Sequence, residues 1–461
     1  MNKLFKYKER GSSISQEIIS GVIVFLSMCY ILPVNANILS AGGADYNAVF
    51  FATAICSAIC CILMGILANL PVALSAGMGV NAFIAFTVCG TMGYTFPQSL
   101  MIVLIAGILF LIITLTPIRE LIIKSIPKSL KYAVSAGLGG FICFVGLKNG
   151  GIINSDSATF VTLGDFSNPT VLLTLFGVLL VLALMQIKGK VGKMAIVISM
   201  AVTAVLGVVL GLFGVENMPA FVNASVSEGF NAFGKNLGIC FSEEAFSVFV
   251  KPETYVIIFS LIFVNLFDTT ATLIAVGDKV GLLDENGDFI GGKKAMLADA
   301  IGAVVCAPLG TSTVTSFAES TVAAESGAKT GLCACTTGAL FLLSILIYPV
   351  FSIFAGVEIN GVNFTPVTSL ALISVGCLMF GNLKDIDWKD NITVITTFLI
   401  TILMILTYSV SDGLGIGLIS YCIMMLVSKR GKEVSPIIYL VALFFITAYF
   451  TYWLFVLLSI L

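Results

Sequence analysis

The chain holds no histidine in 461 residues. That absence excludes imidazole metal sites, Ser-His and Cys-His nucleophile pairs and any histidine proton relay, so a proton moved by this protein must ride on a carboxyl group. Charge is scarce too: Asp, Glu, Lys and Arg are 10% of the residues, against roughly 25% in a soluble domain. The net charge of −2 gives no basic field for nucleic acid. Twelve cysteines contain no Cys-x-x-Cys pair and are scattered through apolar runs (Cys29, Cys56, Cys60, Cys61, Cys143, Cys306). They read as small packing residues rather than a zinc or disulfide framework. With no recognisable nucleophile–base pair either, neither an enzyme nor a resident cofactor or metal is expected.

What remains is oil. Hydrophobic residues make up 58% of the chain and mean hydropathy is +1.09, which fixes the class as an all-α polytopic membrane protein. Apolar runs near the roughly 20 residues needed to span a bilayer recur at 16–34, 47–69, 97–117, 129–147, 168–187, 192–213, 252–276, 331–352, 364–382, 389–410 and 436–460. Segments 72–89, 293–308 and 312–328 are shorter or rich in Gly, Ser, Thr and Ala, and 413–428 looks short for a span. About fourteen segments are expected. The basic head Met1–Arg10 precedes a full-length apolar run, unlike a cleaved signal peptide. Lys and Arg recur at 119–131, 188–193, 279–294, 384–389 and 429–432, whereas 40–46, 90–96 and 148–167 carry only Lys148. That asymmetry predicts a cell-membrane protein with a cytoplasmic N-terminus, and the acidic stretch 214–250 reads as an outer surface loop.

Two sequence patterns repeat. Pro127-x7-Ser135-x-Gly137 matches Pro366-x7-Ser374-x-Gly376 at an offset of 239, and Leu70-Pro71 through Ser75 matches Ala307-Pro308 through Ser312 at 237. Offsets near half the chain predict an internal duplication, and with an odd number of spans per half the two halves would enter the membrane in opposite senses, as an inverted repeat. Corresponding interrupted helices in the two halves are the best pointer to a midplane binding site. Ser75-Ala-Gly77-Met-Gly79-Val-Asn81-Ala-Phe83 and Gly310-Thr-Ser-Thr-Val-Thr315-Ser are those segments. Their glycines let the backbone leave the helix, and Thr and Val suit a short extended piece. Such departures occur only where backbone is buried in protein or lines a cavity.

Acids sit in the same surroundings. Asp268 lies deep in the run Tyr255–Val276, Glu319 follows the second broken segment, and Asp299 lies near a helix start. A carboxylate at the bilayer centre costs about 2.5–3.5 kcal/mol even on the mildest scale, so each must meet a partner, a cavity or a substrate. The plainer reading is a structural hydrogen bond for Asp268, a capping or packing role for Glu319 and a supporting role for Asp299; a transport site with proton coupling is the sharper one. Glu325, with Lys329 at i+4, reads as a surface ion pair. Asn35 and Asn37 beside Pro33 fit a cap or a site equally, while Tyr30 and Phe83 are available as stacking walls. Gly287–Lys294 imitates a phosphate loop but has Lys294 where Ser or Thr belongs. Asp284–Phe289 imitates a calcium loop but lacks its sixth-position glycine.

Gly21 to Leu39 with Tyr30 and Asn35, Ala76-Gly-Met-Gly-Val-Asn81-Ala-Phe83, Leu266-Phe-Asp268-Thr and Gly310 to Ser320 with Glu319 resemble the azaguanine-type purine permeases of the xanthine/uracil permease superfamily, over nearly the whole chain. The resemblance implies a fourteen-span, seven-plus-seven inverted repeat and proton-coupled uptake of a purine nucleobase by a core domain (14–117 with 252–352) and a gate domain (127–213 with 364–461). It places the site between the two broken segments, with the acids on the eighth and tenth spans falling on Asp268 and Glu319. Substrate-binding residues are then expected at Asp268, Glu319, Gly79, Asn81, Thr315, Tyr30 and Phe83, and proton coupling at Glu319, Asp268 and Asp299. Partners would be the base, H+ with Na+ as the alternative ion, lipid, and a second copy through the gate domain. The rival reading is a sulfate- or bicarbonate-type anion carrier on the same fold.

Overall fold

The computed structural model describes residues 2–116, 127–220, 225–251, 253–280, 292–359 and 362–460. Among these, eight helices are long and apolar enough to cross a membrane: Ile14–Ser40, Tyr46–Ala68, Phe96–Leu115, Lys128–Asn149, Ala195–Leu212, Gly331–Phe354, Pro366–Lys384 and Val410–Val427. Shorter apolar helices occupy Met78–Thr91, Pro169–Met185, Asn391–Leu406 and Pro436–Thr447. Several helix starts are capped by side chains, which satisfy amides that the helix itself leaves unpaired. Ser13 accepts from the Gln16 amide, Asp45 from Ala48 at 2.8 Å, and Asn168 from Thr170 ahead of Pro169.

The repeated sequences meet in space. The helix Lys128–Asn149 crosses Pro366–Phe380 with Gly139 against Gly376. A Cβ on Gly139 would stand 2.7 Å from the Gly376 carbonyl oxygen, and one on Gly376 2.5 Å from that of Gly139, so the two backbones touch and only glycine fits. The two broken segments supply strands β1 (Leu74–Ala76) and β2 (Val314–Ser316), which pair antiparallel with Ser75 opposite Thr315. Antiparallel pairing of equivalent pieces is what a two-fold axis in the membrane plane produces.

Two expectations change. The stretch 214–250 is not simply surface: Ser225 and Glu228 form a capping box that starts the helix Val226–Asn236, Phe230 packs edge-on against Phe51 at 5.0 Å, and Asn236 is buried. The stretch 413–428 belongs to an 18-residue helix, Val410–Val427, because the Ser409 hydroxyl caps the Asp412 amide and turns the apparent Ser411-Asp412-Gly413 break into a first turn.

Candidate functional site

The chain leaves the helix Tyr46–Leu63 through a π-turn, Met64–Ala68, and Asn69 takes a left-handed conformation at φ +53°. Pro71 cannot resume a helix, and β1 follows. All six strand residues are buried. The residues flanking them extend the pairing: the Gly77 amide donates to the Thr313 carbonyl (3.0 Å), Phe317 N to Ala73 O (3.0 Å), and Ala73 N to the Ser320 hydroxyl (2.9 Å). The Ser57 and Ser75 hydroxyls lie 2.7 Å apart, and the Cys61 sulfur bridges both the amide and the carbonyl of Leu74 at 3.2 Å. Beyond β1 begins the first half-helix, Met78–Thr91; beyond β2 a 3-10 turn, Ala318–Ser320, carries Glu319 into the short helix Thr321–Glu325.

Hydroxyls and amides gather around this strand pair. Asn35 donates to Thr53 (2.8 Å) and Thr311 (3.1 Å) and accepts from Asn81, which ties the first span to both broken segments. Asn265 donates to Thr313 at 3.2 Å. One turn further along Glu253–Val280, Thr269 donates to the Asp299 carboxylate at 2.7 Å and lies 3.3 Å from the Thr315 hydroxyl. Tyr30 donates its hydroxyl to Glu319 Oε1 at 2.6 Å across 289 residues of sequence. Asn81 Oδ1, Asn265 Oδ1, Ser312 Oγ and Ser316 Oγ are buried with no hydrogen-bond partner among the described residues. Such groups are expensive to leave unpaired, which sets this polar centre apart from the apolar packing around it.

Of the residues singled out in the sequence, Tyr30, Asn81, Glu319, Thr315 and Asp299 each contribute a bond to the network around the strands. Gly79 opens the half-helix against Leu138, and Phe83 is buried in the apolar core. Asp268 lies on Glu253–Val280, adjoining Thr269; its side chain and that of Glu325 lie outside the described residues, as do the decoy loops at 284–291. Thr53 and Leu138 were not singled out, and Thr311, Asn265 and Thr269 only as neighbours within the quoted segments. The i,i+4 spacing of Asn265 and Thr269 put both on one helix face and would have found them; nothing in the sequence marks Leu138. Asn236 was missed too: its amide donates to the Gly310 carbonyl at 2.9 Å, and the Gly238 amide to the Pro308 carbonyl at 2.7 Å, so the end of the helix Val226–Asn236 grips the turn that leads into β2. Gly310 sits there at φ +85°, a conformation glycine takes without strain.

Apolar helices, two broken segments joined by a buried strand pair and a polar centre between them define a multi-pass membrane transporter. The fold is that of solved anion transporters. The transmembrane domain of the cyanobacterial bicarbonate transporter BicA superposes with a TM-score of 0.60 at 13% identity, covering 87% of this chain and 96% of that one. SLC26A9 superposes at 0.55 with 10% identity, covering 90% and 66%. Sequence narrows the assignment. The xanthine/uracil permease model, described as "Permease family", matches residues 15–416. The guanine/hypoxanthine permease PbuG of Bacillus subtilis (strain 168) is 40% identical over 95% of this chain and 97% of its own. The adenine permease AdeP of Escherichia coli (strain K12) is 36% identical over 97% and 95%. The chain belongs to the xanthine/uracil permease family.

Proposed function

We propose that this protein takes up purine nucleobases across the cell membrane by proton symport, with its N-terminus in the cytoplasm. The observation that carries the reading is the Tyr30–Glu319 hydrogen bond beside the buried strand pair, in a chain whose relatives are named guanine/hypoxanthine and adenine permeases. A purine presents a flat apolar face and ring N–H donors, which Glu319, or Asp268 on the neighbouring helix, would accept in charge-assisted bonds. The unpaired oxygen of Asn81 and the hydroxyl of Thr315 would complete its edge, with Gly79 on the same half-helix turn as Asn81. A carboxyl that alternates between protonated and ionised forms, with Asp299 behind Thr269 as its second station, would couple the base to H+ or, in its place, Na+.

The core, 14–117 with 252–352, would rock past the gate, 127–213 with 364–461, and a second copy would pack through the gate domain. One proton entering with a neutral base gains about 2.3 kcal/mol per 100 mV, enough for roughly fifty-fold accumulation. The fold likeness to bicarbonate transporters keeps an inorganic anion as the alternative cargo. Against it, the broken segments from Ser75 to Gly90 and Gly310 to Gly327 hold no Lys or Arg, and an anion placed near Glu319 would be repelled. Uptake of labelled hypoxanthine, guanine, adenine, xanthine and uracil into cells without their own carriers, with and without a protonophore, tests the reading. Purine uptake abolished by the protonophore and by Glu319→Gln supports it; sulfate uptake indifferent to Glu319→Gln overturns it.

A further inference from the structure

The helix Lys128–Asn149 lays one leucine on the proposed binding site. A Cβ added at Gly79 would stand 2.6 Å from Cγ, Cδ1 and Cδ2 of Leu138 alike, so the isobutyl group rests flat on the backbone of the first turn of the half-helix Met78–Thr91. Leu138 is buried at 3% exposure. The same turn carries Asn81, whose Oδ1 has no partner among the described residues, and its leading amides are the ones a half-helix leaves for a ligand. One turn earlier on the same helix, Val134 faces Phe263 across a small apolar gap that Leu130 and Leu414 also line. Phe263 lies on the helix that carries Asp268. The face through Val134 and Leu138 is therefore an apolar wall running between the helix of Asp268 and the start of the half-helix.

From this we infer that Leu138 is the specificity-determining residue of the site, closing over the apolar face of the bound base and limiting which ring substituents it admits. The inference rests on the purine reading above. A nucleobase bonded through its edge to the acids and to Asn81 leaves its flat face and one flank to be read by shape alone, and Leu138 is the side chain placed to do so. Gly79 is glycine for the same reason: any side chain there would collide with the wall before a base arrived.

The test compares competition, not expression. Cells producing the unaltered chain, Leu138→Ala and Leu138→Met take up labelled hypoxanthine while unlabelled hypoxanthine, 8-methylhypoxanthine and N6-benzyladenine compete. Removing the bulk of the leucine lowers the half-inhibiting concentration of at least one bulky analogue about ten-fold relative to hypoxanthine, the scale on which an apolar pocket discriminates methylenes. Leu138→Met, of similar volume, keeps the original ratios. Because each ratio is taken within one cell line, a merely structural role would leave it unmoved. Leu138→Val shifts it in the same direction by less, and serves where Leu138→Ala does not reach the membrane. Unchanged ratios in the transporting Ala and Val variants overturn this inference alone; no purine uptake by the unaltered chain overturns it together with the reading beneath it.

Discussion

Tyr30→Phe removes one oxygen atom and nothing else. In the structure that oxygen donates to Glu319 Oε1 at 2.6 Å, and Tyr30 is 2% exposed. An O–H···O contact of about 2.5–2.7 Å falls in the charge-assisted range. Hydrogen bonds to charged groups contribute about 1.5–3 kcal/mol. At about 1.4 kcal/mol per factor of ten, losing this one lowers uptake efficiency roughly 10- to 100-fold, provided that Glu319 acts through the geometry Tyr30 imposes. The assay is the initial rate of labelled hypoxanthine uptake, normalised to protein at the cell surface, for Tyr30→Phe, Glu319→Gln and the double variant. If the two residues work as one unit, the double variant is no worse than Glu319→Gln alone, because the hydroxyl has no carboxylate left to serve. Losses that multiply in the double variant, or a Tyr30→Phe rate within two-fold of the unaltered chain, refute the reasoning.

Two further outcomes are expected. Thr87, on the first half-helix, donates its hydroxyl to the carbonyl of Tyr408, a residue held at φ +57° between Asn391–Leu406 and Val410–Val427, with the Lys148 ammonium 5.1 Å from its ring. Thr87→Val releases the half-helix from that strained link, so Cys89, two residues on, reacts about five-fold faster with a membrane-impermeant maleimide, the factor that one net hydrogen bond of about 1 kcal/mol supplies; an unchanged rate refutes the link as a clasp. At the other end of the bundle, Asp390 receives the Arg430 guanidinium at 2.8 Å and the Thr393 hydroxyl at 2.9 Å. Burial alone would raise its carboxyl, but these two partners outweigh it and hold the group below the usual carboxylate range. A lowered folded value means stabilisation that is present at neutral pH and lost as pH falls below about 4. For so exposed a pair it is worth at most about 1 kcal/mol. Asp390→Asn in purified protein should therefore lower Tm by about 1–2 °C at pH 7, a deficit that shrinks as the pH is taken progressively below about 4; a deficit that stays constant across that acid range refutes the assignment.

Which parts of the structure the sequence revealed follows from which forces act locally. Apolar runs marked the helices because every backbone group in lipid must be satisfied within its own segment. The Gly-Thr-Val segments were readable as broken helices for the same reason, and β1 and β2 lie inside them. Two elements opened by a cap were misjudged. The Ser225–Glu228 box and the Ser409 cap were both in plain sequence, yet acidic or Ser-Asp-Gly composition outweighed them, and 214–250 and 413–428 were underestimated.

Pairings across the chain behaved differently. Nothing in spacing joins Tyr30 to Glu319, Asn35 to Thr311, or Asn236 to Gly310, because each bond is made by tertiary packing of segments that local propensity does not relate. The chain resolves this with its own duplication. The turn before β1 is held by the N-terminal segment, Arg10 donating to the Asn69 carbonyl at 2.7 Å and Asn69 to Phe5 at 2.9 Å. The turn before β2 is held by Asn236 and Gly238, in the segment that precedes the second half's first helix. Each half therefore clamps its own broken segment from the piece just upstream of its first span. The clamps explain how short, glycine-rich strands with few local constraints come to a fixed register, Ser75 opposite Thr315, with an acid waiting three residues beyond Ser316.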